Sequence, residues 1–163
     1  MRPPSSAIVG LTDPIKFTGD FEAFRPSPDR APPTVLQILP ALVSGGIERG
    51  TVEIVQALTS AGWRALVVSS GGPMVREVER AGGEHLSLPV HAKAPWRWRS
   101  NIDALTRIVK DRAVDLIHAR SRMPAWIALA ARGRTETPLV TTFHGRHPDT
   151  NPAKKIYNGV LTK

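Results

Sequence analysis

A pair of glycines, Gly45 and Gly46, stands between an apolar run typical of a buried strand and an amphipathic stretch typical of a helix. The backbone amides in the first turn of a helix have no acceptor within the helix, and glycine has no Cβ to keep an anion away from them. The junction therefore indicates a phosphate site, such as one for a nucleotide or a sugar nucleotide. The spacing matches neither the G-x-G-x-x-G of dinucleotide sites nor a P-loop, and a tight strand-to-helix turn without a ligand also requires glycine.

Two histidines, His118 and His144, follow later strands of the predicted fold. An imidazole at a strand end donates to a sugar hydroxyl or a phosphate, or it hydrogen-bonds a carbonyl at the rim of the sheet. Small or basic residues follow both, Arg120 and Ser121 in the first case, and this favours a shared site. No carboxylate accompanies the histidines at ligand spacing, so no metal site is predicted.

The segment Trp96-Arg97-Trp98-Arg99 alternates indoles with guanidiniums and is predicted to be a loop. Such a combination suits a membrane interface, a carbohydrate stacking platform or single-stranded nucleic acid. Alternatively, the indoles pack against a neighbouring helix while the arginines face water. The segment lies in a basic part of the chain. Positions 89 to 134 contain ten basic residues and only three acidic ones.

Short β-branched apolar runs alternate with helical patterns from Thr34 onward, which is typical of βαβ units in a parallel sheet. The fold class is therefore α/β, with a Rossmann-like parallel sheet flanked by helices, and ligands are expected beyond the carboxyl ends of its strands. Ser100 and Asp103 resemble a capping box that opens the third helix. The predicted strands cover about 34–39, 64–70, 85–88, 114–118 and 138–143, and the helices about 47–60, 74–81, 100–112, 122–132 and from 152 onward.

The composition indicates one globular domain preceded by a flexible arm over residues 1–33, which holds seven of the fifteen prolines. The chain has no cysteine, which leaves neither disulfides nor thiolate metal sites. It shows no apolar leader and no window that approaches a membrane span. A soluble cytoplasmic protein is expected. The domain over 34–163 is expected to be truncated, because the last helical pattern runs to the final residues.

Three segments together resemble the N-terminal half of a family 4 glycosyltransferase of the GT-B fold. They are Val35–Gly50 with its glycine turn, Asp115–Ser121 and Pro138–Gly145, in the expected order. The resemblance covers about residues 34 to 163. It implies two Rossmann-like domains that face each other across a cleft, with the acceptor bound mainly by the N-terminal one and the nucleotide-sugar donor mainly by the other.

The resemblance also implies roles for individual residues. Gly45 and Gly46 would approach the diphosphate of a UDP- or GDP-linked sugar, and His144 would lie beside the transferred sugar at the reaction centre. The cleft on the acceptor side would be lined by His118, Arg120 and Ser121. Such enzymes retain the configuration of the transferred sugar, and they need neither a metal nor another cofactor beyond the nucleotide-sugar co-substrate.

The resemblance finally implies partners. The acceptor would be lipid-linked or a polysaccharide, and the Trp96–Arg99 segment would face it or an anionic membrane surface, with the protein peripheral on the inner membrane face. The acidic E-x₇-E motif of the family belongs to the C-terminal domain, so this chain alone is expected not to catalyse sugar transfer. A non-catalytic binding module that works with a separate partner domain is the alternative. Nucleic acid is disfavoured, because no recognised binding motif accompanies the basic charge.

Overall fold

The computed structural model describes residues 31–90 and 95–142. Most of the predicted arm over 1–33, and the helix predicted from about 152, therefore lie outside the described residues. Within the described residues the predicted alternation of strands and helices is confirmed. The strands are β1 (Thr34–Ile38), β2 (Arg64–Ser69), β3 (Glu84–Ser87), β4 (Leu116–Ala119) and β5 (Leu139–Thr141). The helices are α1 (Gly46–Ser60), α2 (Val75–Arg80), α3 (Pro95–Asp111) and α4 (Arg122–Thr135).

The five strands form one parallel sheet in the order β3-β2-β1-β4-β5. The chain thus builds outward from β1 to β3, returns to the other side of β1 for β4, and continues to β5. The order reverses between β1 and β4, whose residues Gln37 and Ile38 pair with His118 and Ala119. In an open parallel sheet this reversal leaves a crevice beyond the carboxyl ends of the two central strands.

Two apolar clusters cover the two faces of the sheet, because successive side chains of a strand point to opposite sides. On one face Leu36 and Ile38 belong to the cluster formed with α3 and α4, which includes Leu105 and Ile127. The other face packs against α1 and α2 through Val55, Val67, Met74 and Val78, together with Leu39 and Leu42 from the segment after β1. All five residues of β1 are buried, as expected for the central strand of a doubly covered sheet.

The loop predicted over Trp96–Arg99 is wrong, because α3 begins at Pro95 and includes these residues. Proline is tolerated in the first turn of a helix, where its missing N–H would have no partner. Trp98 packs against the cluster beneath α3, which ties this turn to the core. The predicted capping box is wrong for the same reason: Ser100 lies inside the helix, and Asp103 forms an ion pair with Arg134 of α4.

None of the helices in the described part of the chain is both long enough and apolar enough to cross a membrane.

The loop after β1 is clamped to the loop after β2. The amide of Leu42 donates to the Gly71 carbonyl at 2.8 Å, and the Leu42 carbonyl accepts from the amide of Met74 at 3.0 Å. The Ser70 hydroxyl donates to the Pro40 carbonyl at 2.7 Å. Gly72 has a φ of 142°, and a Cβ there would lie 2.2 Å from the Leu42 carbonyl oxygen. The close approach of the two loops therefore requires glycine at position 72.

Hydrogen bonds of Ser69, at the end of β2, join the loop after β2 to His85 of β3. The Ser69 hydroxyl accepts from the amide of Gly71 at 3.0 Å and lies 2.8 Å from His85 Nε2. Burial lowers the pKa of His85, and the nearby carboxylate of Glu79 raises it in part. The loop after β2 is thus connected to the edge strand β3.

Replacing Gly72 with alanine should lower the free energy of unfolding by about 3 kcal/mol, through backbone strain and the clash with Leu42. The matched control is Gly133→Ala in α4, where a Cβ would meet no atom within 4 Å and where alanine should raise stability by up to about 1 kcal/mol as the better helix former. Urea unfolding of both variants measures the difference. Equal stability of the two variants would contradict the clamp.

Candidate functional site

The first turn of α1 presents free amides to open space. Gly45 precedes the helix with a φ of 154° and offers no side-chain cap, and the amide of Arg49 is the first to bond back, to the Gly45 carbonyl at 3.0 Å. The amides of Gly46, Ile47 and Glu48 therefore have no acceptor within the helix. A Cβ at Gly46 would meet no atom within 4 Å. Both glycines are exposed in the described part of the chain, so an anion can reach this turn.

The carboxylate of Glu48 lies next to this turn. Its Oε2 is 2.6 Å from the position that a Cβ of Gly45 would occupy, so the side chain folds back over the glycine. An acidic residue in the first turn interacts favourably with the helix dipole. Its negative charge also opposes a phosphate there, unless a positive charge close by offsets it.

Arg120 supplies a positive charge beneath the turn. The residue directly follows β4 and is only 4% exposed. Its Nη1 donates to Gln37 Oε1 of β1 at 3.1 Å, and its Nη2 lies 2.9 Å from the position of a Cβ at Gly50 in α1. Burial lowers the pKa of Arg120, whereas the carboxylates of Glu48 and Glu53 raise it in part. The guanidinium thus lies between β1, β4 and α1, with little of it open to the crevice.

His118 and Ser121 lie on either side of Arg120. His118 is half-buried, and its Nε2 is within hydrogen-bond distance of Thr142 Oγ1, which joins the ends of β4 and β5. Ser121 precedes α4 in an extended conformation, and its carbonyl accepts from the amide of Ala125 at 2.9 Å. Its hydroxyl does not cap the helix. Ser121 is also half-buried.

The residues predicted for the cleft lie in three loops, which follow β1, β4 and β5. The first two of these loops are neighbours. The glycine turn follows β1, and the segment from His118 to Ser121 follows β4, which pairs directly with β1. The third loop is described only as far as Thr142, whose amide donates to the Ala119 carbonyl at 2.9 Å. His144 lies outside the described residues, and its predicted place at the reaction centre stays a prediction.

Sequence reasoning missed two contributors to this region, Gln37 and Gly50. Gln37 is fully buried in β1, and its Nε2 donates to the Thr51 carbonyl at 3.1 Å in addition to the bond from Arg120. The one signal in the sequence was a lone amide in the apolar run Val35–Leu39. Gly50 lies within α1, and its missing side chain makes room for the guanidinium of Arg120.

The indoles of the Trp96–Arg99 segment have different surroundings. Trp96 is 75% exposed, and Arg97 and Arg99 are exposed beside it. Trp98 packs against the core, and in the part of the chain that the structure describes its buried Nε1 has no hydrogen-bond partner. The surface therefore presents one indole between two guanidiniums. Within residues 31–90 and 95–142, no three histidine, aspartate or glutamate side chains come together as metal ligands would.

Known structures resemble the described fold. A glycosyltransferase from Rickettsia africae ESF-5 is 37% identical, with a TM-score of 0.70 over 81% of this chain and 35% of that chain. The calicheamicin glycosyltransferase CalG4 is 18% identical, with a TM-score of 0.51 over 82% of this chain and 43% of that one. HepE from Anabaena, in complex with UDP and glucose, is 17% identical, with a TM-score of 0.50 over 77% and 34%. No curated protein matches the chain.

These comparisons establish the architecture and the family. The five-stranded parallel sheet with flanking helices is the Rossmann-like arrangement of GT-B glycosyltransferases. The chain spans about a third of the length of the Rickettsia glycosyltransferase. A family model described as Glycosyltransferase Family 4 matches residues 44–163, which include the glycine turn and the segment after β4. The chain belongs to Glycosyltransferase Family 4.

Proposed function

We propose that this domain contributes the acceptor side and part of the diphosphate site of a retaining glycosyltransferase. The observation that carries the proposal is the open first turn of α1, whose three free amides lie at the reversal of strand order between β1 and β4. Amides at a helix start bind phosphate through hydrogen bonds and the helix dipole. The ligand would be a UDP- or GDP-linked sugar, and the complex of HepE with UDP and glucose supports this class.

The same amides would also assist the reaction. When the bond between the sugar and the diphosphate breaks, negative charge develops on the leaving phosphate oxygen, and fixed donors stabilise that charge. The acceptor hydroxyl forms the new bond to the sugar and gives its proton to the leaving phosphate oxygen. His144 is proposed to lie beside the transferred sugar, and His118 and Ser121 to face the acceptor.

The proposal assigns the remaining half of the cleft to a second domain. The resemblance places most of the nucleotide contacts and the acidic E-x₇-E motif there, so we expect no sugar transfer from this chain by itself. The donor is a co-substrate, and no cofactor is proposed. The acceptor is proposed to be lipid-linked or a polysaccharide.

The substitution Gly46→Asp should weaken phosphate binding without destabilising the fold. A side chain at this position meets open space, and an acidic group in the first turn suits the helix dipole, so stability should be unchanged or slightly higher. The added charge should weaken binding of inorganic pyrophosphate at least about tenfold, because like charges repel at short range. Amide chemical shifts of Gly46, Ile47 and Glu48 during a pyrophosphate titration measure the affinity.

The matched control is Gly46→Asn, which has nearly the same shape without the charge and should bind close to the wild-type level. UDP in place of pyrophosphate should shift the same amides. The proposal is wrong if saturating pyrophosphate leaves the first-turn amides of the wild-type chain unshifted, or if the aspartate and asparagine variants bind equally well.

We also propose that the surface of Trp96, Arg97 and Arg99 faces an anionic membrane or its lipid-linked acceptor, which would place the protein at the cytoplasmic face of the membrane. An exposed indole inserts its apolar ring at the lipid interface, and nearby guanidiniums interact with anionic head groups. Of the two indoles, Trp96 is favoured for this role, because it is exposed whereas Trp98 packs against the core.

Trp96→Ala should therefore weaken binding to vesicles of phosphatidylcholine and phosphatidylglycerol by about tenfold, or roughly 1.4 kcal/mol, through the loss of one buried indole. Co-sedimentation with the vesicles measures the loss. Val140→Ala provides the control, because Val140 is also exposed but lies on β5. Equal binding of the Trp96 variant and the wild-type chain would leave this surface without a membrane role.

A further inference from the structure

We propose that Arg120 is a positioning residue for the diphosphate site, which sets the place of the first turn of α1 relative to the ends of β1 and β4. The inference rests on the proposed function of that turn. It replaces a direct contact between Arg120 and the acceptor with an indirect role, because the side chain is 4% exposed and its contacts are with protein.

The first support is a continuous set of hydrogen bonds from β4 to α1. The amide of Arg120 donates to the Ile38 carbonyl at 2.9 Å, and its Nη1 donates to Gln37 at 3.1 Å. Gln37 in turn donates to the Thr51 carbonyl at 3.1 Å. The Thr51 hydroxyl then donates to the carbonyl of Ile47, in the first turn itself, at 2.8 Å. Each step is a bond of ordinary length.

The second support is the glycine that faces the guanidinium. Gly50 lies inside α1, where glycine is less favourable than alanine. A Cβ at this position would come within 2.9 Å of Arg120 Nη2. The absence of a side chain thus lets the helix lie directly against the guanidinium, and any larger residue would have to displace one of the two. The contact therefore joins α1 to the residue that follows β4.

The third support is the burial of the Arg120 charge, which stability alone does not explain. The Nε of Arg120 is buried and has no hydrogen-bond partner among the described residues, and burial lowers the pKa of the group. Replacing a buried ionic group together with its partners by apolar side chains of similar volume is often neutral or stabilising. A methionine or leucine would fill this space, but neither would hold Gln37 and the helix in a fixed arrangement. A role in the site accounts for the arginine.

A double-mutant cycle tests the contact without reference to activity. Gly50→Ala in the wild-type chain should lower the midpoint of urea unfolding, because the methyl group meets Nη2. In an Arg120→Met background, which keeps a long apolar side chain but removes the guanidinium, Gly50→Ala should leave the midpoint unchanged or raise it. Equal effects of Gly50→Ala in both backgrounds would overturn the proposal.

Amide spectra test the positioning role. Without any ligand, Arg120→Met should shift the amide resonances of Gly46, Ile47 and Glu48, whereas the control Arg64→Lys, exposed at the opposite end of the sheet, should not. In a pyrophosphate titration Arg120→Met should bind about tenfold more weakly than the wild-type chain, since misplaced donors lose affinity. Arg120→Lys keeps the charge but not the planar fork, so it should lose most of the same affinity.

The outcomes separate the two proposals. If the wild-type chain binds no pyrophosphate, the proposed function fails, while the cycle and the ligand-free spectra still decide whether Arg120 positions the turn. If the wild-type chain binds and Arg120→Met binds equally well with unshifted amides, Arg120 is not a positioning residue. If Arg120→Met does not fold, the comparison is made with Arg120→Lys, and unshifted first-turn amides with unchanged affinity in that variant reject the proposal.

Discussion

The hydrogen bond between the side chains of Gln37 and Arg120 is the constraint on which the geometry of the site depends. It lies between the sheet and α1, next to the place where the strand order reverses, and β1 is buried there along its whole length. A buried amide is tolerated only when its polar atoms have partners. Gln37 satisfies this by accepting from Arg120 and donating to Thr51. One side chain therefore connects β1, the segment after β4 and α1.

A second constraint acts on the other approach to the first turn of α1. The segment between β1 and α1 is held against the loop after β2 through Leu42 and Gly72. The first turn thus lies between two fixed points, the backbone clamp before it and the Arg120 contact one turn later. Donors that bind an anion must be preorganised to contribute fully. Both constraints therefore serve the same small group of amides.

The sequence was sufficient for the sheet and its helices because apolar periodicity and glycine boundaries reflect burial directly. It was insufficient where a residue's surroundings depend on distant parts of the chain. Pro95 and the arginines after it resembled a loop, yet core packing of Trp98 makes them helical. Arg120 was expected to face the cleft. The sequence predicts that Arg120 lies at a strand end, but it does not predict the direction in which a long side chain points. The role of Gly50 was hidden for the same reason, since its partner lies seventy positions away.

The electrostatics of the first turn explain why position matters more than charge at this site. The carboxylate of Glu48 folds over Gly45, where it opposes a phosphate, and Arg120 lies beneath with the opposite charge. On a ligand bound at similar distances from both groups, the two opposite charges act in opposite directions. What remains is the hydrogen bonding of the free amides, which is short-ranged and directional. Recognition of an anion here therefore depends on where α1 begins, and the Arg120–Gly50 contact determines that place.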